Sequence, residues 1–318
     1  MSTLLKVGVL RGGMGREYPL SMQSGEEVLR HIDRSRFEPV DILIDREGVW
    51  HKEGLPVKPH EILPSFDAVW NSLHGYYGED GKAQELLTRF GIPFNGSETF
   101  PSTLGLNKHA TRQFLRDLGV LFPRYFMVRK GDEYEKIAVH VWRSFPQPSI
   151  VKPLSGSSSI GLVYADSYHA LLDAIQRIIA EGDDVLIEEY IKGKEVAVPV
   201  IESYRGEKHY VPMPVHILKD GPVYLPWEKK NNNYRAATYL NEGEKKTLRE
   251  AARKVHDTLS LRHYSSSDFI VTPKGIYFLE VDTLPTMGRD SVLPFSLSSA
   301  GVSMRDFISH VISLSVNK

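Results

Sequence analysis

Short apolar segments rich in β-branched residues alternate with helical patterns from the start of this 318-residue chain. Ser24 and Glu27 have the spacing of a capping box, which marks a helix N-terminus. Because strands alternate with helices, this part predicts an α/β unit with a mainly parallel sheet. The predicted elements are strands over Lys6–Leu10, Phe37–Ile44 and Ala68–Leu73, a helix beginning near Ser24, and a helix over Lys82–Phe90.

Two further α/β units follow, the second beginning near Thr103 and the third at Val185. At roughly 150 residues per domain, the length allows about two or three domains. The predicted divisions are an N-terminal domain over 1–102, a central domain over 103–184 and a C-terminal domain over 185–318. Further helices are predicted over Lys108–Leu118, Asp166–Ala180 and Glu244–Leu259, with strands over Tyr125–Val128, Ser149–Lys152, Val185–Tyr190, Asp268–Val271 and Gly275–Val281.

Charge and cysteine content exclude several classes of protein. Lys plus Arg is 39 and Asp plus Glu is 40, so the formal net charge is −1, and no general attraction to nucleic acid or to an anionic membrane is expected. The absence of cysteine excludes disulfides and thiolate metal sites. Lys6 and Arg11 interrupt the apolar start, which is too short for a membrane span. We therefore expect a cytoplasmic protein without nucleic-acid or membrane partners.

A lysine at the end of a predicted strand is followed by a loop of small residues. The segment Pro148–Gly161 reads PSIVKPLSGSSSIG and carries Lys152. Such a loop can place backbone N–H groups near phosphate oxygens, while the lysine supplies a point charge. The spacing is neither that of a Walker A motif nor that of the G-x-G-x-x-G fingerprint. From these residues alone, a phosphate-binding loop and an ordinary surface turn are both open.

Three carboxylates mark the C-terminal part of the sequence. Glu280 and Asp282 are two residues apart on a predicted strand, so their side chains face the same side. Asp268 lies on the preceding strand, and a hairpin would bring all three together. Facing carboxylates repel each other unless a cation lies between them, and oxygen donors suit Mg²⁺, which bridges carboxylates and nucleotide phosphates. The pattern favours a magnesium site over a solvated strand face.

A glycine-rich segment with a histidine, His74–Gly81, directly follows another predicted strand. Its sequence, HGYYGEDG, is typical of a tight turn where the backbone approaches a ligand. An ordinary loop with a hydrogen-bonded histidine is equally consistent with it. The twelve histidines of the chain show no paired metal-ligand spacing, so the sequence predicts no zinc site.

Taken in order, these segments resemble the D-alanine–D-alanine ligase family of the ATP-grasp superfamily over nearly the whole chain. A single match would carry little weight, but six collinear matches raise the phosphate-loop and metal interpretations above their alternatives. The matching segments are RGGMGREYPLSMQSG (Arg11–Gly25), LHGYYGEDG (Leu73–Gly81), GIPFNGS (Gly91–Ser97), Asn107–Lys108, VLIEEYIKGKE (Val185–Glu195) and LEVDTLPTM (Leu279–Met287).

The resemblance implies an ATP-grasp fold of three α/β domains, with ATP between the central and C-terminal ones. It implies a ligase of cell-wall (peptidoglycan) precursor synthesis: ATP phosphorylates the carboxylate of one D-alanine, and the amine of a second attacks the acyl phosphate. It also implies small amino-acid substrates, Mg²⁺ with Mn²⁺ as an alternative ion, and a homodimer.

The resemblance further implies roles for individual residues. Glu17 corresponds to the residue that receives the ammonium group of the first substrate, His74 lies on the substrate side, and Ser291 corresponds to the residue that binds the carboxylate of the second substrate. The residues that match ATP contacts are Lys108, Lys152 and Lys230 at the phosphates, Ser158 in the covering loop, Glu188 and Ile191 at the adenine, and Glu195 at the ribose. Asp268, Glu280 and Asp282 match the Mg²⁺ ligands.

Four positions depart from the family pattern on the reacting side. Ser266 stands where the family has an arginine that steadies the transferred phosphoryl group, and serine offers no fixed charge. Thr286 replaces a glycine of the oxyanion site, Asp282 replaces an asparagine among the metal ligands, and Asn231 replaces a tyrosine after the loop lysine.

These departures leave two interpretations open. One is an active ligase with altered substrate choice or a relocated cation. The other is a nucleotide-binding relative with lost or altered ligase activity. We favour the active ligase, and predict that Arg289, just before Ser291, joins Glu17, Ser158 and Lys230 in the catalytic set. Arg262 is the second candidate for the missing charge.

Overall fold

A computed structural model describes residues 4–156, 159–219, 221–223 and 233–317. Its first sheet is built on the apolar N-terminal strand β1 (Leu5–Gly12), which lies between β2 (Phe37–Ile44) and β5 (Ala68–Asn71) and is parallel to both. Two short antiparallel strands, β3 (Trp50–Lys52) and β4 (Leu55–Val57), extend the sheet beyond β2. The mainly parallel sheet predicted for this part is therefore confirmed at its centre.

The helices around this sheet include one whose predicted start is wrong. The first helix begins at Tyr18 and not near Ser24, because Glu17 is its N-cap and Pro19 occupies its first turn, where a missing N–H costs nothing. Ser24 lies inside the helix, where its hydroxyl makes tertiary contacts. The helices of this part are α1 (Tyr18–His31), α2 (Pro59–Ile62), a 3₁₀ turn (Leu63–Ser65) and α3 (Lys82–Arg89).

The second sheet has four strands in the order β6-β9-β7-β8, and every pairing in it is antiparallel. Two helices, α6 and α7, pack on one of its faces over a core of buried aliphatic side chains. The elements are α4 (Thr99–Leu106), α5 (Lys108–Phe114), β6 (Tyr125–Val128), α6 (Tyr134–Ser144), β7 (Ser149–Pro153), β8 (Val163–Ala165), α7 (Tyr168–Ala180) and β9 (Val185–Glu189).

The third sheet is antiparallel and follows the order β13-β12-β10-β14-β15, with β11 also paired to β10. Its long helix α8 packs on the face formed by alternate residues of β10. The elements are β10 (Lys194–Tyr204), β11 (Glu207–Tyr210), β12 (Val215–Ile217), β13 (Tyr234–Ala236), α8 (Glu242–Thr258), β14 (Tyr264–Thr272), β15 (Gly275–Asp282), α9 (Val292–Ser299) and α10 (Met304–Val316).

Direct contacts join the first sheet to the third. The Trp70 ring stacks on the Tyr264 ring, with centroids 6.2 Å apart, and Asn95 Nδ2 donates to the Tyr264 hydroxyl at 2.8 Å. Arg262 forms an ion pair with Glu98 across the same junction. These contacts fix the position of β14 and β15 relative to the N-terminal loops. Among the described helices, none has the length and apolarity that a membrane crossing requires.

Candidate active site

A cleft lies between the second and third sheets, where β7 and β9 face β10, β14 and β15. Aliphatic side chains form part of its lining, which suits the flat face of a nucleotide base. Charged side chains line the remainder. The structure thereby brings together six residues that the sequence assigned to ATP or metal: Lys152, Glu188, Ile191, Glu195, Asp268 and Glu280.

The two predicted phosphate lysines converge on one carboxylate in this cleft. Lys108 Nζ lies 3.3 Å from Glu280 Oε2, and Lys152 Nζ lies 3.9 Å from the same atom. Both lysine side chains are less than a tenth exposed. Lys108 Nζ also donates to the carbonyl oxygen of Gly156, in the loop of small residues, at 2.6 Å. Both ammonium groups are therefore held next to the loop predicted to cover phosphate.

Glu188 is bound on both sides by cations. Its carboxylate pairs with Arg112, and its Oε2 lies 3.0 Å from Lys152 Nζ. Burial opposes ionisation of this group, but the Lys152 and Arg112 charges outweigh it and lower the pKa of Glu188. In this arrangement Glu188 orients Lys152 and lines the cleft, while its role at the adenine edge stays a prediction.

Arg112 is a site residue that the sequence reasoning missed. It lies four residues after Lys108 on α5, so both side chains leave the same face of the helix. The four-residue spacing was the available signal, because residues four apart lie on the same face of a helix, so a cleft that Lys108 enters is also within reach of Arg112. With three cations against Glu188 and Glu280, the cluster has a net positive charge that suits phosphate.

The predicted carboxylate hairpin is present. Asp268 on β14 is directly opposite Glu280 on β15, and Ser266 is opposite Asp282. Burial, together with repulsion from Asp282 and Glu280, raises the pKa of Asp268 well above its ordinary value. Burial and repulsion from Glu280 raise the pKa of Asp282 to about 7. For Glu280 the lysines outweigh burial and lower the pKa.

This donor set fits a hard divalent cation. Oxygen ligands are the ones Mg²⁺ takes, and the raised pKa values show carboxylates whose mutual repulsion a cation would relieve. The three carboxylates are not gathered around one point. Within the described ranges, their donor oxygens do not all lie within 4.8 Å of one another. The reason is that Glu280 is directed toward Lys108 and Lys152.

We expect Asp282→Asn to stabilise the metal-free protein at high pH. The pKa of Asp282 rises from 3.8 to about 7 on folding, so the unfolded state holds fewer protons between these values and wild-type stability falls as pH rises through them. At pH 8 the variant should melt several degrees above wild type, since about 1 kcal/mol corresponds to roughly 2–4 °C.

The difference should vanish near pH 4, and the exposed carboxylate Asp290 provides the control variant Asp290→Asn. The Asp282→Asn protein should also need more Mg²⁺ for full activity while it still binds ATP. Equal melting curves for Asp282→Asn and wild type at pH 8 would show that Asp282 is not repelled by its neighbours.

The first-substrate residue Glu17 lines a second cleft, between the N-terminal loop and the loop of small residues. Its side chain is buried, and this burial raises its pKa. Gly75 packs against the carboxylate so closely that a Cβ there would meet Oε1 and Oε2 at 2.5 and 2.3 Å, and its φ is +63°. Only glycine fits this position, which explains the glycine after His74 in the sequence.

Arg16, next to Glu17, closes one side of the second cleft and was also missed by the sequence reasoning. Its guanidinium lies 2.6 Å from Glu181 and 3.0 Å from Asp183 of the central elements. The two partners are far away in the chain, so sequence spacing carries no signal for this contact. The pairs hold the N-terminal loop against the segment between α7 and β9, and both partners line the same cleft as Gly156 and Ile160.

His74 connects the N-terminal helix to the segment that precedes Ser291. Its Nε2 lies 2.8 Å from the Ser24 hydroxyl, which accepts a hydrogen bond from the backbone N–H of Met287 at 3.0 Å. Burial lowers the pKa of His74 to about 4, so the ring is neutral at pH 7. Ser291 is buried at the N-cap of α9. Ser24 therefore links His74 to the backbone of Met287, four residues before Ser291, a role that the capping-box interpretation did not predict.

The buried His74 predicts a loss of stability in mild acid. Its pKa falls from 6.5 in the unfolded chain to about 4 in the folded one, so the unfolded state binds more protons between these values. The contribution of His74 to stability should fall by roughly 3 kcal/mol as pH drops from 6.5 to 4, opposite in sign to the contribution of Asp282. In urea unfolding across this range, wild type should therefore lose stability relative to His74→Gln as pH falls, while the exposed-site control His60→Gln follows wild type. Parallel slopes in all three proteins would contradict the assignment.

Ser266, at the position of the family's arginine, is a buried polar residue. Ser266 lies on β14 between Pro199 and Asp282, and its hydroxyl has no hydrogen-bond partner in the described part of the chain. Of the two candidate replacements, Arg262 is already paired with Glu98. The Arg289 side chain is exposed, and the structure gives its guanidinium no ion pair or hydrogen bond within 4–156, 159–219, 221–223 and 233–317. Arg289 is thus the candidate still available to a substrate.

Two predicted catalytic residues, Ser158 and Lys230, lie outside the described residues, as does Asn231. Their roles stay predictions.

Known proteins of similar sequence identify the family of this chain. Residues 114–313 match the family model described as D-ala D-ala ligase C-terminus. The D-alanine–D-alanine ligases of Clostridium perfringens (strain SM101 / Type A) and Aquifex aeolicus (strain VF5) are 31% and 32% identical to this chain. The alignments cover 99% and 97% of this chain, and all of each relative.

Solved structures give the same fold. The D-alanine–D-alanine ligase of Bacillus anthracis, in complex with ATP, superposes with a TM-score of 0.79 at 23% identity and covers 99% of this chain and 98% of its own. The VanG D-Ala:D-Ser ligase of Enterococcus faecalis superposes with a TM-score of 0.82 at 24% identity, with 98% and 100% covered. The architecture is that of the ATP-grasp fold. Within it, the chain belongs to the D-alanine–D-alanine ligase family.

Proposed function

We propose that this protein is an ATP-dependent ligase that joins two D-alanine molecules through an acyl-phosphate intermediate. The observation that carries the proposal is the buried cluster in which Lys108 and Lys152 meet Glu280 beside the acidic hairpin. The cluster supports binding of nucleotide phosphate together with a divalent cation, which phosphoryl transfer to a carboxylate requires. The names of the relatives over their full length support the same activity.

ATP would lie in the cleft between the second and third sheets. Ile150, Ile191 and Leu279 would contact the base, and Glu195 would lie at the ribose. Lys108 and Lys152 would neutralise phosphate charge, already aligned by Glu280 and Glu188, so little reorganisation accompanies phosphoryl transfer.

The amino-acid substrates would occupy the second cleft. Glu17 would hold the ammonium group of the first D-alanine, leaving its carboxylate to attack the γ-phosphorus with release of ADP. The neutral His74 ring, fixed by Ser24, would position the substrates without adding charge. Ser291 would bind the carboxylate of the second D-alanine, whose amine then displaces phosphate to form the peptide bond. Arg16 and the loop of small residues would exclude water from the acyl phosphate.

The acidic hairpin would hold Mg²⁺, or Mn²⁺, through Asp268, Glu280 and Asp282. The bound ion supplies charge neutralisation at the phosphates. We further propose three domains, in which the predicted boundary between residues 184 and 185 moves to follow Glu189, because β9 pairs with β6 and β7 of the second sheet. We also propose a homodimer, a cytoplasmic location and a role in cell-wall precursor synthesis. The family resemblance supports these points.

The test of the nucleotide site is binding of ATP with Mg²⁺ to the full chain. A ligand that binds only the folded state adds roughly 2.7 kcal/mol at 100 times its dissociation constant, which a thermal melt detects. ATP with Mg²⁺ should raise the melting temperature and GTP with Mg²⁺ should raise it less. No shift at millimolar concentration would contradict the proposal.

A further inference from the structure

Three potential metal ligands meet on the face of the third sheet that is opposite the ATP cleft. On β10, Glu195 lines the cleft, while Val196, Val198 and Val200 belong to the core that packs against α8. Side chains alternate along a strand, so Glu202 continues the row that faces α8. Glu195 and Glu202 are also roughly 23 Å apart along the strand. The cluster around Glu202 is therefore separate from the ATP site.

The fold brings the other two ligands to Glu202 from different elements. His209 on β11 is directly opposite Glu202 in the β10–β11 hairpin, so both side chains share one face. His256 comes from the last turn of α8 and has no exposed surface. These residues are far apart in the sequence, which is why the spacing of histidines gave no sign of a zinc site.

The distances match those around one ion. One donor atom from each of Glu202, His209 and His256 lies within 4.8 Å of the other two. His256 Nε2 is 3.5 Å from Glu202 Oε1, and the two imidazole centroids are 5.3 Å apart. Ligands bound to a tetrahedral Zn²⁺ at about 2.0–2.1 Å are roughly 3.4 Å from each other. Small side-chain rotations would therefore place all three donors at bonding distance.

A weakly satisfied polar atom points into this cluster. His256 Nε2 is buried and makes no hydrogen bond of ordinary geometry in the described part of the chain, and the Glu202 Oε1 that faces it is 3.5 Å away. Its other ring nitrogen, Nδ1, lies 2.8 Å from the buried Ser265 hydroxyl, so the ring is held with Nε2 toward Glu202. A buried polar atom that lacks a close hydrogen bond is uncommon and requires an explanation. A bound cation at Nε2 supplies one.

The surroundings also resemble those of metal ligands. Glu202 Oε2 accepts the backbone N–H of His263 at 2.5 Å, which leaves Oε1 for the cluster. The Asp257 carboxylate lies 3.5 Å from His209 Nδ1, and carboxylates commonly orient metal-bound histidines in this way. The Glu202 side chain is 27% exposed, so an ion can enter from solvent.

We propose that Glu202, His209 and His256 bind one Zn²⁺ ion, with the fourth position open to water. Imidazole and carboxylate ligands suit Zn²⁺, whereas the all-oxygen hairpin set suits Mg²⁺. The ion would join α8 to the β10–β11 hairpin. Through Glu202 and His263, which accepts the backbone N–H of Gly96 at 3.0 Å, it would also brace the junction with the N-terminal elements. Its role would be structural.

The test is a Zn²⁺ titration of the chelator-treated full chain in excess Mg²⁺, which occupies the carboxylate hairpin. Wild type should bind one Zn²⁺ per chain, melt at a higher temperature and, with Co²⁺ as the probe, show the strong visible absorption of a four-coordinate site. Glu202→Gln preserves shape and should weaken Zn²⁺ binding at least about 100-fold, since outer-sphere changes alone cost 10–100-fold. The matched control is Glu207→Gln, on the same hairpin and paired with Arg253.

A second variant guards against a folding defect in Glu202→Gln. Asp257 is half exposed, so Asp257→Asn should fold normally and weaken Zn²⁺ binding about 10-fold or more. Wild type that binds no Zn²⁺ would overturn the proposal. Equal Zn²⁺ affinity in Glu202→Gln and Glu207→Gln would overturn it as well, because the ion would then lie elsewhere.

Discussion

Lys152→Ala should lower turnover by about 10³-fold and abolish most of the thermal stabilisation by ATP with Mg²⁺. Lys152 Nζ lies 3.0 Å from Glu188 and 3.9 Å from Glu280, so on the proposed role the ammonium group would bind phosphate and offset the charge of two neighbouring carboxylates. Removal of one preorganised charge typically costs 10²–10³ in rate. The variant also leaves Glu188 with Arg112 alone, which adds unfavourable charge where phosphate must bind.

The matched control is Lys192→Ala, an exposed lysine four residues after Glu188. It should retain wild-type turnover and the wild-type melting shift. Circular dichroism and the melting curve without nucleotide will show whether Lys152→Ala is folded. A folded Lys152→Ala protein with the full ATP-induced shift would contradict the assignment of Lys152 to the phosphates.

Arg289→Ala should lower turnover by about 10²-fold while ATP binding persists. A working ligase needs a cation to stabilise the phosphoryl group and the tetrahedral intermediate, and Ser266 cannot supply it. Arg262 already forms an ion pair with Glu98, whereas Arg289 lies two residues before the buried Ser291. The steady-state rate of ADP release and the ATP-induced melting shift measure the two effects separately.

Arg305→Ala removes a different arginine in the C-terminal part of the chain and serves as the control. A change of less than about twofold in Arg289→Ala would identify Arg289 as a bystander. Ser266→Arg would then be the informative variant, because an increase in D-alanine-dependent ADP release would show that the lost charge limits the wild-type rate.

Several strands were predicted correctly because their residue patterns are typical of strands. Phe37–Ile44 and Tyr125–Val128 have the bounds that were predicted, and the hairpin of Asp268 and Glu280 has the expected pairing. Alternation of side chains along a strand is a local property, so it can be counted in the sequence. The start of α1 was wrong because a capping-box spacing at Ser24 occurs inside a helix that Pro19 and Glu17 begin earlier.

Contacts between distant residues could not be predicted in this way. Arg112 joins Glu188, Arg16 joins Glu181, and His256 meets Glu202 only after the sheets are assembled. Their partners are set by tertiary packing, which no local pattern records. Ser24 shows the same limit, since its bonds to His74 and Met287 link three separate segments.

The most direct test of the central claim is the product formed from D-alanine. The purified protein with ATP, Mg²⁺ and D-alanine should release one ADP for each D-alanyl-D-alanine, identified by mass spectrometry. Parallel reactions with L-alanine should release no ADP above background, and reactions that pair D-alanine with D-serine or D-lactate will define the second substrate. Binding of ATP without amino-acid-dependent ADP release from any of these substrates would contradict the assignment of this chain as a D-alanine–D-alanine ligase.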